Sequence, residues 1–136
     1  CNKVQGQITS GTNAIAQRAA IAALKAPKSK IQYMIDEFKK RRNLVLSLLS
    51  EVEGLKVNVP EGAFYVFPDV SSFFGKTLRG RTIRNASDFS LYLLEEAMVA
   101  TVTGEAFGDA NCIRISYAAS EKELREAIRR IKESLA

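Results

Sequence analysis

The sequence predicts an α/β (α+β) fold, in which a small sheet has helices packed on it. Helical periodicity dominates both ends of the chain, while short β-branched runs bounded by glycine or proline occupy the middle. The chain has 136 residues, of which 46% are hydrophobic and 26% are charged, a balance typical of globular proteins. A chain of this size buries roughly two-thirds of its surface on folding, so its core needs no disulfide or metal.

A first helix is predicted over residues 14–25, which are rich in alanine. Thr12 and Asn13 provide the N-cap, because their side-chain oxygens can accept hydrogen bonds from free N–H groups of the first turn. Pro27 stops the helix, since proline has no N–H to continue it.

A second, long helix is predicted over residues 29–52, with Ser29 as its N-cap and Gly54 at its end. Its apolar residues recur at near-heptad spacing, and a basic run at residues 39–42 lies on the polar side. At 1.5 Å per residue the helix would be about 35 Å long, more than the breadth of a compact domain of this size. We therefore expect it to run between two bodies, only one of which lies in this chain.

Two strands are predicted next, over residues 55–59 and 63–67, and a proline follows each of them. Residues 71–87 contain Gly75, Gly80 and four basic side chains, so they are predicted to form a flexible surface loop.

The remaining predicted elements are a helix, two strands and a final helix. Ser87 is expected to cap the first of these helices, and the strands are expected over residues 99–103 and 112–117. Ser120 and Glu123 have the spacing of a capping box at the start of the last helix. Apolar residues on one face of that helix indicate that it packs on the sheet.

Composition limits the possible functions. The chain has no histidine, which excludes Ser-His-Asp catalysis, Cys-His catalysis and His-ligated metal sites within it. Cys1 and Cys112 are too few for a zinc site or a disulfide framework, so a reducing, cytoplasmic location is expected. No apolar run approaches the roughly 20 residues of a membrane span, so no membrane partner is expected. The net charge of +5 is too mild to indicate a nucleic-acid partner.

Arg114 is the candidate functional residue, because it lies within a predicted strand between Ile113 and Ile115. Alternation along a strand places Arg114 on the face opposite both isoleucines. Its guanidinium is then either a member of a partly buried ion pair or a ligand for an anionic group such as a carboxylate. The residues alone leave both interpretations open.

The loop of sequence GEAFG at residues 104–108 connects the last two predicted strands. It either brings its backbone close to a ligand or makes a tight connection in which Phe107 plugs the core, and the second is expected. The same ambiguity applies to residues 62–65. The basic runs at residues 39–42 and 76–84 are interpreted as solvated surface, because no nucleic-acid motif accompanies them.

The chain resembles class I aminotransferases, in particular the aspartate aminotransferase subgroup that also contains prephenate aminotransferases. The runs that carry the resemblance are GAFYVFPD at residues 62–69, VATVTGEAFG at residues 99–108 and IRISYA at residues 113–118, with agreement at residues 7–17 and 41–44. The resemblance covers essentially the whole chain. It implies that residues 1–28 are the end of the large domain with a hinge, and that residues 29–136 are the small C-terminal domain.

The resemblance also implies roles for individual residues. In that family the arginine of the corresponding strand binds the α-carboxylate of the amino-acid substrate, which assigns this role to Arg114. Gln7 and Ser10, matched by pattern only, fall in a stretch that reaches the neighbouring subunit's active site near the distal group of the substrate. Thr103 stands where the family's loop has proline, a departure that bears on the rigidity of the loop.

A family member uses pyridoxal 5′-phosphate to move an amino group between an amino acid, here of the aspartate or glutamate type, and a 2-oxo acid. Its cofactor lysine stands in a Ser-x-x-Lys context that Lys25, Lys28 and Lys30 do not share. We therefore expect no catalytic and no cofactor-binding residue in this chain. Without the N-terminal large domain the chain is expected to be inactive and to bind no cofactor. A homodimer is implied for the complete enzyme.

Two other functional classes stay open from the sequence. One is a non-catalytic module that binds small carboxylates through Arg114, and the other is a protein-interaction module that uses its basic surface. The preferred substrate stays open among aspartate, glutamate, prephenate and aromatic amino acids.

Overall fold

Three helices form the first part of the chain in the computed structural model, which describes residues 1–136. They are α1 (Asn2–Ile8), α2 (Ala14–Lys25) and α3 (Ser29–Leu49). The predicted helix over residues 14–25 is confirmed. Asn13 is its N-cap, because Asn13 Oδ1 accepts hydrogen bonds from the N–H groups of Ile15 at 2.8 Å and Ala16 at 3.3 Å. The sequence pattern does not predict α1, since Gly6 within it is a poor helix former.

The chain divides into two compact units, Cys1–Ile35 and Asp36–Ala136, and the division falls within α3. Every residue of the first unit is exposed, including the large apolar side chains of Ile8, Ile15 and Leu24. The hydrophobic core therefore lies entirely in the second unit. The expected domain boundary between residues 28 and 29 stays a prediction.

The long helix α3 ends at Leu49 rather than at residue 52. The N–H groups of Glu51 and Val52 bond to carbonyl groups three residues back, at 3.3 and 3.0 Å, so the regular α-helical pattern is lost there. Gly54 follows with a φ of +91°, and a Cβ at Gly54 would lie 2.9 Å from the ring of Phe73. Glycine is therefore required at the turn that follows the helix, as the sequence predicts.

The apolar stripe of α3 is buried only toward the C-terminal end of the helix. Val45 and Leu49 are fully buried in the core of the second unit, whereas Ile31 and Ile35 are exposed. Ser29 is the first residue within α3, so its prediction as the N-cap is wrong by one position.

The second unit contains five short strands and two further helices. The strands are β1 (Tyr65–Val66), β2 (Thr77–Leu78), β3 (Arg81–Thr82), β4 (Val102–Thr103) and β5 (Ile113–Ser116), and the helices are α4 (Ala86–Glu96) and α5 (Glu121–Leu135). Strands β1, β5 and β4 form an antiparallel sheet in that order, and β2 pairs with β3 in a hairpin. The predicted small sheet with helices packed on it is confirmed.

Three of the predicted strands are shorter in the structure, and one is absent. Ala63 has a φ of +63°, which prevents an extended strand from beginning before Tyr65. Residues 55–59 form only a single bridge, in which Lys56 and Asp69 exchange backbone hydrogen bonds of 3.2 and 2.9 Å. The prediction of a strand there is wrong, because alternation indicates which face a residue takes and not whether a partner strand is within reach.

Residues 71–87 are not the surface loop that the sequence predicts. They contain a 3₁₀ turn at Ser71–Phe73, the β2–β3 hairpin and the start of α4. Phe73 and Ile83 are buried, and the ring of Phe73 stacks on that of Phe89 with centroids 4.9 Å apart and planes at 26°. Phe73 and Ile83 thus anchor this segment to the core.

Side-chain caps define the starts of α4 and α5. Asn85, not Ser87, caps α4, since Asn85 Oδ1 accepts a 2.9 Å hydrogen bond from the N–H of Asp88. The predicted capping box of α5 is confirmed. Ser120 Oγ accepts from the N–H of Glu123 at 3.3 Å, and the Glu123 carboxylate accepts from the N–H of Ser120 at 3.0 Å.

The core of the second unit is built from the inner face of the sheet and from α3, α4 and α5. Its largest fully buried side chains include Tyr92, Tyr117, Phe89, Leu49 and Ile83. No helix is both long enough and apolar enough to cross a lipid bilayer.

Candidate functional site

The three-stranded sheet has one buried face and one open face. Val66, Ile113 and Ile115 point into the core and are buried. Arg114 pairs with Val102 of β4. Tyr65 of β1 lies opposite Ser116 of β5. Because opposed residues and alternate residues share a face, Tyr65, Val102, Arg114 and Ser116 all lie on the open face.

The guanidinium of Arg114 lies between two aromatic rings. Its central carbon is 4.6 Å from the ring centroid of Phe107 and 5.5 Å from that of Tyr65. No carboxylate lies within 4.0 Å of it, so Arg114 is not a member of the internal ion pair that the sequence allowed. Arg114 is half-buried and its side chain makes no hydrogen bond within the chain, so the N–H groups of its guanidinium are available for another acceptor.

Phe107 ends a 3₁₀ turn, Glu105–Phe107, in the loop between β4 and β5. Its side chain is 46% exposed, so the prediction that Phe107 plugs the core is wrong. The N–H of Phe107 donates to the carbonyl of Gly104 at 2.8 Å, which fixes the turn. The ring of Phe107 meets that of Phe67 edge-on, with centroids 6.4 Å apart and planes at 77°.

Gly104 is required by close approach of the backbone and not by an unusual backbone angle. Its φ is −78°, which any residue can adopt. A Cβ at Gly104 would lie 2.5 Å from the carbonyl oxygen of Cys112 and 2.8 Å from the ring of Phe67. The loop that carries Phe107 therefore packs tightly against the start of β5.

Thr103, which stands where the resemblance expects proline, lies in β4 opposite Ile113. The hydroxyl of Ser87, in the first turn of α4, donates a 3.3 Å hydrogen bond to the hydroxyl of Thr103. This bond joins the end of β4 to α4 and is one that a proline could not make.

Gln7 and Ser10 belong to the first unit. Gln7 lies in α1, and Ser10 follows it in the left-handed region with a φ of +56°. Both side chains are exposed. Their assignment to the substrate's distal group stays a prediction.

The basic runs make contacts within the protein. Their ion pairs are Lys40 with Glu121, Arg41 with Glu37, Arg79 with Glu96, Arg81 with Glu95 and Arg84 with Asp88. Arg42 donates a 3.1 Å hydrogen bond to the carbonyl of Pro60. The charges lie at the surface, as the sequence indicates, and each of these arginines and Lys40 has a partner within the chain.

Cys112 directly precedes β5 and is buried. Burial raises the pKa of its thiol to about 11, and the nearby Asp109 and Asp69 carboxylates contribute to the shift. Because the thiolate is the reactive form, Cys112 is not a candidate nucleophile.

We expect iodoacetamide at pH 8 to alkylate the exposed Cys1 and to leave Cys112 unmodified in the folded chain, because Cys112 is both inaccessible and protonated. Peptide mass spectrometry after timed quenching measures both sites. Chain unfolded in urea is the control, in which both thiols should react. Equal rates at the two cysteines in the folded chain would contradict the burial of Cys112.

The residues that the sequence reasoning missed are the neighbours of Arg114. Tyr65 lies in a segment that the sequence marks as ambiguous, and only the pairing of β1 with β5 brings its ring to the arginine. For Phe107, the flanking glycines Gly104 and Gly108 indicate a shaped loop, which is the signal that favours exposure over the core.

The fold and this site define a class of protein: an α+β domain that presents an arginine on the open face of an antiparallel sheet. Residues 1–131 match the model of the family "Aminotransferase class I and II". The chain belongs to this family.

Individual relatives agree with this assignment. The bifunctional aspartate aminotransferase and glutamate/aspartate-prephenate aminotransferase of Petunia hybrida is 46% identical over 139 residues, which cover 99% of this chain and 29% of the relative. The probable aspartate/prephenate aminotransferase of Rickettsia prowazekii (strain Madrid E) is 49% identical over 130 residues, covering 95% of this chain and 33% of the relative.

The chain is also similar to solved structures of aminotransferases. The aspartate aminotransferase from Rhizobium meliloti superposes with a TM-score of 0.91 at 44% identity, over 97% of this chain and 33% of that one. The chain thus spans about a third of the length of the relatives that it matches. The resemblance to the aspartate aminotransferase subgroup is confirmed.

Proposed function

We propose that this chain works as the small domain of a longer pyridoxal-phosphate-dependent transaminase. The complete enzyme moves an amino group between an amino acid and a 2-oxo acid, and Arg114 binds the α-carboxylate of the amino acid. Membership of the aminotransferase family and the span of about a third of its relatives support this proposal. The position of Arg114 also supports the proposal, because Arg114 lies on the open face of the sheet with no carboxylate of the chain beside it.

The guanidinium chemistry suits the proposed role. Arginine stays charged at all physiological pH values, and its planar fork of N–H donors matches the two oxygens of a carboxylate. Two parallel charge-assisted hydrogen bonds fix the position and the orientation of the bound acid. Held in this way, the substrate needs no further orientation around its carboxylate before its α-carbon reacts.

The residues of this chain do not fit pyridoxal phosphate. The cofactor needs a lysine for its aldehyde carbon and donors for its phosphate, and the groups found beside Arg114 are the rings of Tyr65 and Phe107. Lys25, Lys28 and Lys30 are exposed in the first unit. When bound, the cofactor supplies an electron sink for proton transfer at the substrate's α-carbon. We place the residues that hold it outside this chain, and we expect the chain alone to be inactive.

The substrate is proposed to be of the aspartate or glutamate type. The relatives from Petunia hybrida and Rickettsia prowazekii carry aspartate and prephenate in their names. Every α-amino acid has the carboxylate that Arg114 would bind, so Arg114 cannot distinguish one from another. We propose that discrimination among amino acids depends on groups that contact the distal end of the substrate. Gln7 and Ser10 of the partner subunit in a homodimer are among these groups.

The test is an assay of the complete polypeptide that contains this chain, loaded with pyridoxal phosphate. We expect transfer of the amino group from L-aspartate or L-glutamate to a 2-oxo acid, and none by the 136-residue chain alone. Binding of dicarboxylates without any transfer by the complete polypeptide would contradict the proposal and would favour a non-catalytic carboxylate-binding module.

A further inference from the structure

Two aromatic rings lie beside the guanidinium of Arg114 and a third supports one of them; we call Tyr65, Phe67 and Phe107 together the aromatic bracket. Tyr65 and Phe107 contact the guanidinium directly, at 5.5 and 4.6 Å from its central carbon. Phe67 does not, but its ring supports that of Phe107 edge-on. The bracket joins residues from the segment that contains β1 and from the loop before β5.

The ring of Phe107 is placed by the backbone of its own loop. Gly104 packs against the carbonyl of Cys112, and its own carbonyl accepts hydrogen bonds from the N–H groups of Phe107 at 2.8 Å and Asp109 at 3.3 Å. The turn is thus fixed to the strand that carries Arg114. As a result, the residues that carry the ring and the guanidinium are joined through one hydrogen-bonded stretch of backbone.

Packing within the core of this chain does not account for Phe107. An aromatic side chain that is 46% exposed gives up much of the free energy that burial would provide. Its ring instead lies 4.6 Å from the central carbon of the guanidinium, where the negative quadrupole of the ring attracts the cation.

We propose that Phe107 is a positioning residue, whose ring holds the guanidinium of Arg114 with its N–H edge directed to an incoming carboxylate. This inference rests on the proposed function of Arg114. A free arginine side chain samples many rotamers, and a ligand then has to select one of them at the cost of affinity. The ring of Phe107 restricts the guanidinium before the ligand arrives.

The experiment compares Phe107→Leu with the parent enzyme and with Phe107→Tyr, in the complete polypeptide loaded with cofactor. The readouts are the steady-state constants for L-aspartate and the dissociation constant of succinate, a dicarboxylate that has no amino group to transfer. We expect Phe107→Leu to raise KM and the succinate dissociation constant by about threefold to tenfold, which lies within the range of a cation–π contact. The value of kcat should change less, because the lost contact serves carboxylate binding. Phe107→Tyr, which keeps the ring, should retain parental values.

A double-mutant cycle with Arg114→Ala separates positioning from general structural support. In the Arg114→Ala background, Phe107→Leu should have no further effect on succinate binding, because the group that it positions is absent. Phe74→Leu, which truncates a half-buried ring that packs against the core elsewhere in the second unit, is the control and should match the parent.

The outcomes are distinguishable. An equal effect of Phe107→Leu in both backgrounds would overturn the positioning role and leave the role of Arg114 standing. Parental succinate binding by Phe107→Leu would also overturn the positioning role of Phe107 and leave the role of Arg114 standing. Unchanged succinate binding and kinetics in Arg114→Ala alone would instead overturn the proposed function on which the inference rests.

Discussion

Replacing Arg114 with alanine in the complete enzyme is expected to lower kcat/KM for L-aspartate by about 100-fold or more. Two charge-assisted hydrogen bonds to the substrate would be lost, each worth about 1.5–3 kcal/mol. KM should rise steeply, because the carboxylate is bound in the ground state as well as in the transition state. Steady-state kinetics on enzyme saturated with cofactor measure both constants.

Two controls accompany this variant. Arg114→Lys keeps the charge but not the fork, so its kcat/KM should fall between those of the parent and Arg114→Ala. Arg84→Ala removes an arginine whose side chain is 77% exposed and which pairs with Asp88 at the surface. It should leave the kinetics unchanged, since exposed ion pairs contribute little. Parental kinetics in Arg114→Ala would contradict the role of Arg114.

The largest effect on stability is expected for Phe89→Ala, which should lower the free energy of unfolding of the chain by about 3–5 kcal/mol. Phe89 is fully buried in α4, and its ring stacks on that of Phe73. Its removal leaves a cavity between α4 and the segment that begins with the Ser71–Phe73 turn. Urea denaturation followed by circular dichroism gives the difference.

Leu91→Ala is the matched control, because Leu91 lies two residues further along α4 and is 47% exposed. Its effect should stay within about 0.5 kcal/mol, as for other surface substitutions. Equal midpoints for Phe89→Ala and Leu91→Ala would show that residues 71–87 are not anchored to the core through Phe89.

The fold class follows from the sequence wherever periodicity is strong. The apolar stripe that ends in Val45 and Leu49 specifies α3 locally. The capping box does the same for α5. The prediction of a loop over residues 71–87 fails for a physical reason. Each strand of their hairpin has two residues, too few to show alternation, and the ring of Phe73 packs on Phe89 of α4, which is distant in sequence.

The candidate site, like the fold, could be predicted from the sequence only in part. Alternation between Ile113 and Ile115 is enough to place Arg114 on the open face. The rings beside it come from β1 and from the loop after β4, so their proximity depends on strand register and on the turn that Gly104 permits. No local pattern contains that information. The strand pattern singled out Arg114, the resemblance to a family favoured its role as a carboxylate ligand, and the structure adds its neighbours.

The most direct test of the role of Arg114 is a crystal structure of the complete, cofactor-loaded enzyme with succinate bound. We expect two guanidinium nitrogens of Arg114 to lie about 2.7–2.9 Å from the two oxygens of one carboxylate. A succinate that is bound in the active site with both carboxylates held by other residues, and with Arg114 beyond hydrogen-bonding distance, would contradict that role.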